Sequence, residues 1–149
     1  MRDILNNVRT EQALKPQTVQ AAALDSGNLD LQGFDSLAVV VAVGQIVDTL
    51  GASNRLDLKI EHADDNGAGA PGAYAACTDD DVMGATGLAA GIFMVVNADT
   101  KDNTRYAIGY KGGKRFVKVT ATPVSLATGG PVAMIAIKGH PAAAPTTNA

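Results

Sequence analysis

Apolar and polar residues alternate with a period of two along much of the chain. In "RLDLKIEH", Leu56, Leu58, Ile60 and His62 fall on one face, and Asp57, Lys59 and Glu61 on the other. In "RFVKVTA", Val117, Val119 and Ala121 alternate with Phe116, Lys118 and Thr120. That period puts successive side chains on opposite faces of a strand. Three further runs, "LAVVVAV" (37–43), "GIFMVV" (91–96) and "VAMIAI" (132–137), are apolar without a break at strand length. Such strands need cover on both faces, from a second sheet or from another subunit.

Turn chemistry separates these runs. "DSGN", "DDNGAGAPG", "NADTKDN", "KGG" and "TGGP" supply glycine for positive φ and Asp or Asn for local backbone capping. Short strands at this spacing predict an all-β fold, a single β-sandwich over residues 18–139. Helical signals are confined to Ile4, Leu5 and Val8, which could share one face of a short turn, and to "QTVQAAAL"; neither sustains a 3.6 period. Residues 1–17, polar and interrupted by Pro16, read as an extended N-terminal arm. Residues 140–149, with "PAAAPTTNA", read as a flexible C-terminal tail. Ile4, Leu5, Val8 and Leu14 are too few to form a core in that arm. They are therefore expected to dock on a neighbouring subunit, and removal of residues 1–14 to leave the domain folded.

Composition narrows the function classes. The 149 residues make one domain of ordinary size, with no Trp, three Tyr and three Phe. A net charge of −3 gives no global attraction to nucleic acid or to an anionic membrane. Cys77 is the single cysteine, so no intramolecular disulfide forms. The N-terminus lacks a signal-peptide core and "LAVVVAVGQIV" is too short to span a bilayer, so a soluble protein is expected.

"KGGKR" (111–115) looks most like chemistry. A phosphate-binding loop needs a first glycine where this chain has Ile108, a Ser or Thr where it has Arg115, and a helix where a strand pattern follows. Gly112-Gly113 between "YAIGY" and "RFVKV" instead predicts a hairpin. The cations Lys111, Lys114, Arg115 and Lys118 then form a solvated tip or a patch that meets an acidic surface. "HADDNGAG" fails as a calcium loop: with Gly67 in the glycine position, the first and last ligands would be His62 and Ala73. Asp79, Asp80 and Asp81 read as a solvated acidic loop. His62, at the rim end of a strand, and His140, before Pro141, have no partner at zinc spacing, and no nucleophile elbow is present. No catalytic residue, cofactor or metal is expected.

The segments "LNNVRTEQALKPQT", "LDLQGFDSLAVVVAVGQI", "LKIEHADDNGAGAPGAYAACTDDDVMGA", "RYAIGYKGGKRFVKVTATP" and "AIKGHPAAAP" occur in this order, from about Leu5 to Pro145. As a set they resemble a family of small virion proteins of tailed bacteriophages and prophages, the head decoration (cement) group. One departure is "EHADD", where the family has a small polar residue before the acidic pair. The resemblance implies a β-sandwich of jelly-roll type. It also implies a non-enzymatic role on the outer surface of the capsid, bridging major capsid protein subunits of a virion assembled in the host cytoplasm. Self-association as a dimer or trimer is expected, with no nucleic-acid or membrane partner. Two other readings stay open: a head–tail junction or tail structural protein, and a carbohydrate-binding sandwich displayed on the virion. The second sits poorly with the lack of Trp and with Tyr106 and Tyr110 sharing a face with Ile108.

Overall fold

The computed structural model describes residues 3–147, folded as two antiparallel sheets packed face to face. The strands are β1 (Val8–Val19), β2 (Leu24–Asp25), β3 (Leu29–Asp30), β4 (Phe34–Val43), β5 (Arg55–Ala63), β6 (Ala75–Ala76), β7 (Val82–Met83), β8 (Ile92–Val96), β9 (Thr104–Tyr110), β10 (Phe116–Val124) and β11 (Gly130–Pro141). Single 3-10 turns at Leu5–Asn7 and Asp79–Asp81 precede β1 and β7. No helix among the described residues is long and apolar enough to cross a membrane.

One sheet has the order β1-β11-β4-β9-β7. In the other, β10 and β5 lie at the centre, β2 and β3 share the free edge of β10, and β6 and β8 share that of β5. The expected all-β sandwich is present. Period-two patterning does what it should: Leu56, Leu58 and Ile60 of β5 and Val117, Val119 and Ala121 of β10 are buried between the sheets. They meet Leu37, Val39, Val41 and Val43 of β4 and Val132, Met134 and Ala136 of β11 in one core. Burying each large aliphatic side chain contributes roughly 1.5–3 kcal/mol before chain entropy is subtracted.

Three expectations are corrected. The segment 1–17 is not an arm from end to end, because β1 pairs with β11 from Val8↔Gly139 to Val19↔Gly130 and buries Leu14 to 7% exposure. Its alternation is broken by register shifts between Gln12 and Leu14 and between Leu14 and Gln17. Pro16 falls inside the second irregularity of this edge strand, where a missing N–H costs no ladder bond. Deleting residues 1–14 would therefore remove half of a sheet strand.

The tail is also shorter than expected. β11 continues to Pro141, the Ala142 N–H donates to the Gly33 carbonyl, and the Thr146 N–H donates to the Asn6 carbonyl at 3.0 Å. The last described residues thus return along the N-terminal turn.

Gly112-Gly113 is not a hairpin. β9 pairs with β4 and β7, whereas β10 pairs with β5, β2 and β3. The loop carries the chain from one sheet to the other. Two glycines announce a reversal, but they do not say which strand receives the chain.

Candidate docking surface and a buried polar cluster

The two outer faces of the sandwich differ in chemistry. On the β5–β10 side, Arg55 pairs with Asp57 at 2.9 Å and Lys59 with Glu61 at 2.7 Å. Lys118 reaches Glu61 at 3.8 Å and lies 4.3 Å over the Tyr74 ring. That face is the polar half of the alternation that buries Leu56, Leu58 and Ile60.

The outer face of the β1–β11–β4–β9 sheet is nearly free of charge. Registered pairs set one row as Gln12, Ile135, Val40 and Ala107, and a second as Thr10, Ile137, Ala38, Gly109 and Met83. A third row, Ala133, Ala42 and Arg105, holds the one charge of the three. Ile135 is 48% exposed and Met83 56%. These rows come from the unbroken apolar runs of β4 and β11, whose inner residues fill the core and whose outer residues meet solvent. At one end the face deepens into a groove of about 370 Å³ lined by Val8, Ser36, Ala38, Met83, Gly109 and Ile137.

Of the residues singled out from the sequence, Val8 lines that groove. Ile4 and Leu5 lie in the adjoining N-terminal turn, exposed at 66% and 61%. Leu14 is separated from them by its place in the core. Tyr110 and Ile108 are buried and Tyr106 packs against the same core, so these rings form no platform for a sugar.

Two cations of KGGKR, Lys114 and Arg115, find their acidic surface within the molecule. Lys114 pairs with Asp64 at 3.0 Å. Arg115 donates through Nε and Nη2 to the two oxygens of Asp30, each at 2.8 Å, and through Nη1 to Asp65. Asp65 also accepts the N–H groups of Gly67 and Gly69. Those backbone bonds, with Arg115 adding to them, hold its carboxyl below the usual carboxylate range. Arg115 does the same to Asp30 through its hydrogen bonds. The two loops that resembled ion sites are thus one structural tie between β3, β5 and β10.

The acidic triplet is only partly solvated. Asp79 accepts the N–H groups of Gly87 and Leu88 at 2.7 and 2.8 Å. Asp81 closes a capping box, its Oδ2 accepting from both the N–H and the hydroxyl of Thr78 at 2.8 Å.

Behind Asp81 lies a cluster that sequence spacing did not reveal. His62, near the end of β5, is buried, with Nδ1 3.0 Å from the Tyr110 hydroxyl and 3.9 Å from Asp81 Oδ1. Cys77, buried just after β6, brings one sulfur to this group: single donor atoms of His62, Cys77 and Asp81 all lie within 4.8 Å of one another. Burial pushes the Cys77 thiol up to about 12 and the Tyr110 phenol likewise to about 12. Desolvation lowers the His62 pKa against the opposing pull of Asp81. A neutral ring that accepts the Tyr110 hydroxyl at Nδ1 carries its hydrogen on Nε2. His140, by contrast, lies in β11 and meets Ser36 Oγ at 2.9 Å.

No family model matches the sequence, and no curated protein matches it. Among solved structures, the fold is similar to that of YomS, a protein derived from the SPBc2 prophage. Identity is 16% and the TM-score 0.45, over 90% of this chain and 94% of that one. It is also similar to a protein of the disulfide-linked pili of Bacillus endospore appendages, at 12% identity and a TM-score of 0.40 over 89% of this chain and 88% of that one. VP2 of the infectious bursal disease virus subviral particle shares 15% identity at a TM-score of 0.30, over 90% of this chain and 41% of that one. At these identities the likeness is one of fold alone.

Proposed function

We propose that this protein is a non-enzymatic structural component of a tailed-phage virion. In this reading it is a head decoration protein that docks the outer face of its β1–β11–β4–β9 sheet on major capsid protein subunits. The observation that carries the reading is the uncharged row set built on Ile135, Val40, Ile137, Ala38 and Met83. A face of that kind offers little to a charged ligand and much to an apolar protein surface. Two antiparallel sheets, β1-β11-β4-β9-β7 and one centred on β10 and β5, form the sandwich on which a jelly-roll reading of the ordered sequence segments would be built.

The energetic logic is bridging. Each large aliphatic side chain covered by the shell adds roughly 1.5–3 kcal/mol, offset by the cost of association. One patch is weak, but several copies joined as a dimer or trimer at a symmetry position hold the shell by multivalency. Around KGGKR, Lys114, Arg115 and Lys118 are each paired with a carboxylate, which takes those three charges from a nucleic-acid backbone. The one thiol, Cys77, is buried and offers no exposed thiol nucleophile.

The test uses heads that lack the protein. Purified protein added back should appear by particle reconstruction on the outside of the shell, and Ile135→Asp should fail to bind while remaining folded. Density at the portal or along the tail would assign the junction or tail role instead. Full shell occupancy by Ile135→Asp would remove the docking face from the account.

A further inference from the structure

We propose that His62, Cys77 and Asp81 form a binding site for a divalent ion of the zinc type, which staples the crossing between the two sheets. The three side chains come from distinct structural units. His62 belongs to β5, Cys77 follows β6 on the same sheet, and Asp81 ends the turn that delivers the chain to β7 on the opposite sheet. An ion held by all three fixes that crossing at both ends.

The donor set suits zinc: one imidazole nitrogen, one sulfur and one carboxylate oxygen, with solvent left to complete a tetrahedron. Bonds of about 2.0–2.3 Å in a tetrahedron separate the donors by roughly 3.3–3.8 Å. His62 Nδ1 and Asp81 Oδ1 already stand at 3.9 Å, and the widest donor separation is within 4.8 Å, so closure needs movements of about an ångström.

The surroundings orient the ligands. The Cys77 N–H donates to the Ile60 carbonyl at 3.2 Å, which seats the sulfur beside β5. Thr78 saturates Asp81 Oδ2 and leaves Oδ1 turned toward His62. The Asp81 carbonyl accepts the N–H groups of Lys111 and Gly112, so its backbone is fixed by the β9–β10 loop. The Tyr110 hydroxyl holds the imidazole ring and releases Nδ1 when the ion binds. Coordination exchanges the Cys77 S–H proton, which leaves to solvent, for a sulfur–metal bond. Spacing along the sequence concealed the set because the ligands are separated by fifteen and four positions and meet only through β5–β6 pairing.

Because Cys77 is the only cysteine, a spectrum of the unaltered protein can identify the sulfur ligand. Reduced, metal-stripped protein is titrated with cobalt(II). The expected result is a thiolate-to-cobalt charge-transfer absorption with tetrahedral ligand-field bands, saturating at equimolar metal. Zinc should displace cobalt, abolish the absorption and raise the thermal midpoint. Cys77→Ser should lose the charge-transfer band, and Asp81→Asn should weaken the titration. Cobalt binding without a sulfur band, no binding, or zinc binding without a rise in the midpoint would each overturn the proposal. All three outcomes are read on the unaltered protein, so they stand even if a variant fails to fold.

Discussion

Arg115 grips Asp30 through two parallel hydrogen bonds, Nε to Oδ1 and Nη2 to Oδ2, both 2.8 Å long. The same guanidinium reaches Asp65 and Gln32, so one side chain joins β10, β3 and the loop after β5. Lysine can keep the charge, but it cannot supply this fork. Arg115→Lys should therefore lower the thermal midpoint clearly. Lys114→Ala, which removes a single pair with the exposed Asp64, should cost no more than about 1 kcal/mol. Calorimetry on the two variants checks the order; equal losses would mean that the fork has no special weight.

The carboxylates of this network, together with Asp48 in a separate loop, make stability depend on acid. Arg115 lowers the pKa of Asp30, backbone N–H groups of Gly69 and Gly67 lower that of Asp65, and the N–H groups of Gly129, Ala127 and Thr128 lower that of Asp48. Each group is more acidic folded than unfolded, where its value is near 3.8. Their stabilisation is complete above that value and disappears as pH falls through the lowered folded values. The carboxylates' share of the urea midpoint should be flat above the ordinary carboxylate range and fall below it, while His62, whose pKa burial lowers from 6.5, adds an earlier decline that starts as pH falls through that value. Asp30→Asn should start less stable and lose less on acidification; an unchanged slope would count against the pairing.

The strands easiest to read were those with one pattern from end to end. β5 and β10 alternate because each has a core face and a charged face, and β4 and β11 carry unbroken apolar runs at 37–43 and 132–137 because their second face is uncharged there as well. β1 was hidden by its two register shifts, which break the period of two around Leu14 and Pro16. The role of Gly112-Gly113 was half visible: the reversal could be seen, the change of sheet could not. Lys114 and Arg115 meet Asp64 and Asp65 across fifty positions, and a one-dimensional pattern carries no signal for that meeting. The gathering of His62, Cys77 and Asp81 depends on the same long-range folding.

Glycines along the chain should differ sharply in tolerance. Gly129 has φ +72°, and a Cβ there would stand 1.9 Å from the Val19 carbonyl oxygen. Its N–H also donates to Asp48 at 2.6 Å, so the loop cannot move away without losing that bond. Gly129→Ala should cost on the order of 3 kcal/mol. Gly113 has open space where a Cβ would go, and Gly113→Ala should change stability by less than about 0.5 kcal/mol. Chemical denaturation of both variants is the check, and comparable losses would contradict the close approach at Gly129.

Truncation separates the N-terminal turn from the strand. Removal of residues 1–7 takes away the turn carrying Ile4 and Leu5 and leaves β1 whole, so the domain should stay folded. Removal of residues 1–14 also deletes Leu14 and the half of β1 paired with Met134 through Gly139. Truncating a buried leucine alone costs about 2–5 kcal/mol, and the exposed edge of β11 adds a surface for aggregation. The longer deletion should therefore be insoluble or unfolded. A soluble, cooperatively melting product would show that β1 is dispensable.

Val40 and Val41 are neighbours on β4 with opposite duties. Val41 is fully buried between the sheets, whereas Val40 faces outward beside Ile135 and Ala107. Val41→Ala opens a cavity in the core and should cost about 1–3 kcal/mol. Its docking face is unaltered, so folded protein carrying it should still attach to the shell below its lowered melting temperature. Val40→Asp places a charge at the centre of the uncharged rows, where a partner would have to desolvate it. That variant should fold with a midpoint close to the parent and lose attachment. Lys59→Ala, on the charged face of the other sheet, supplies the control and should bind normally. The measurement is occupancy on protein-free heads beside thermal melting for all three variants. If Lys59→Ala lost attachment and Val40→Asp kept it, the shell would be meeting the β5–β10 face, and the assignment of the docking surface would be reversed.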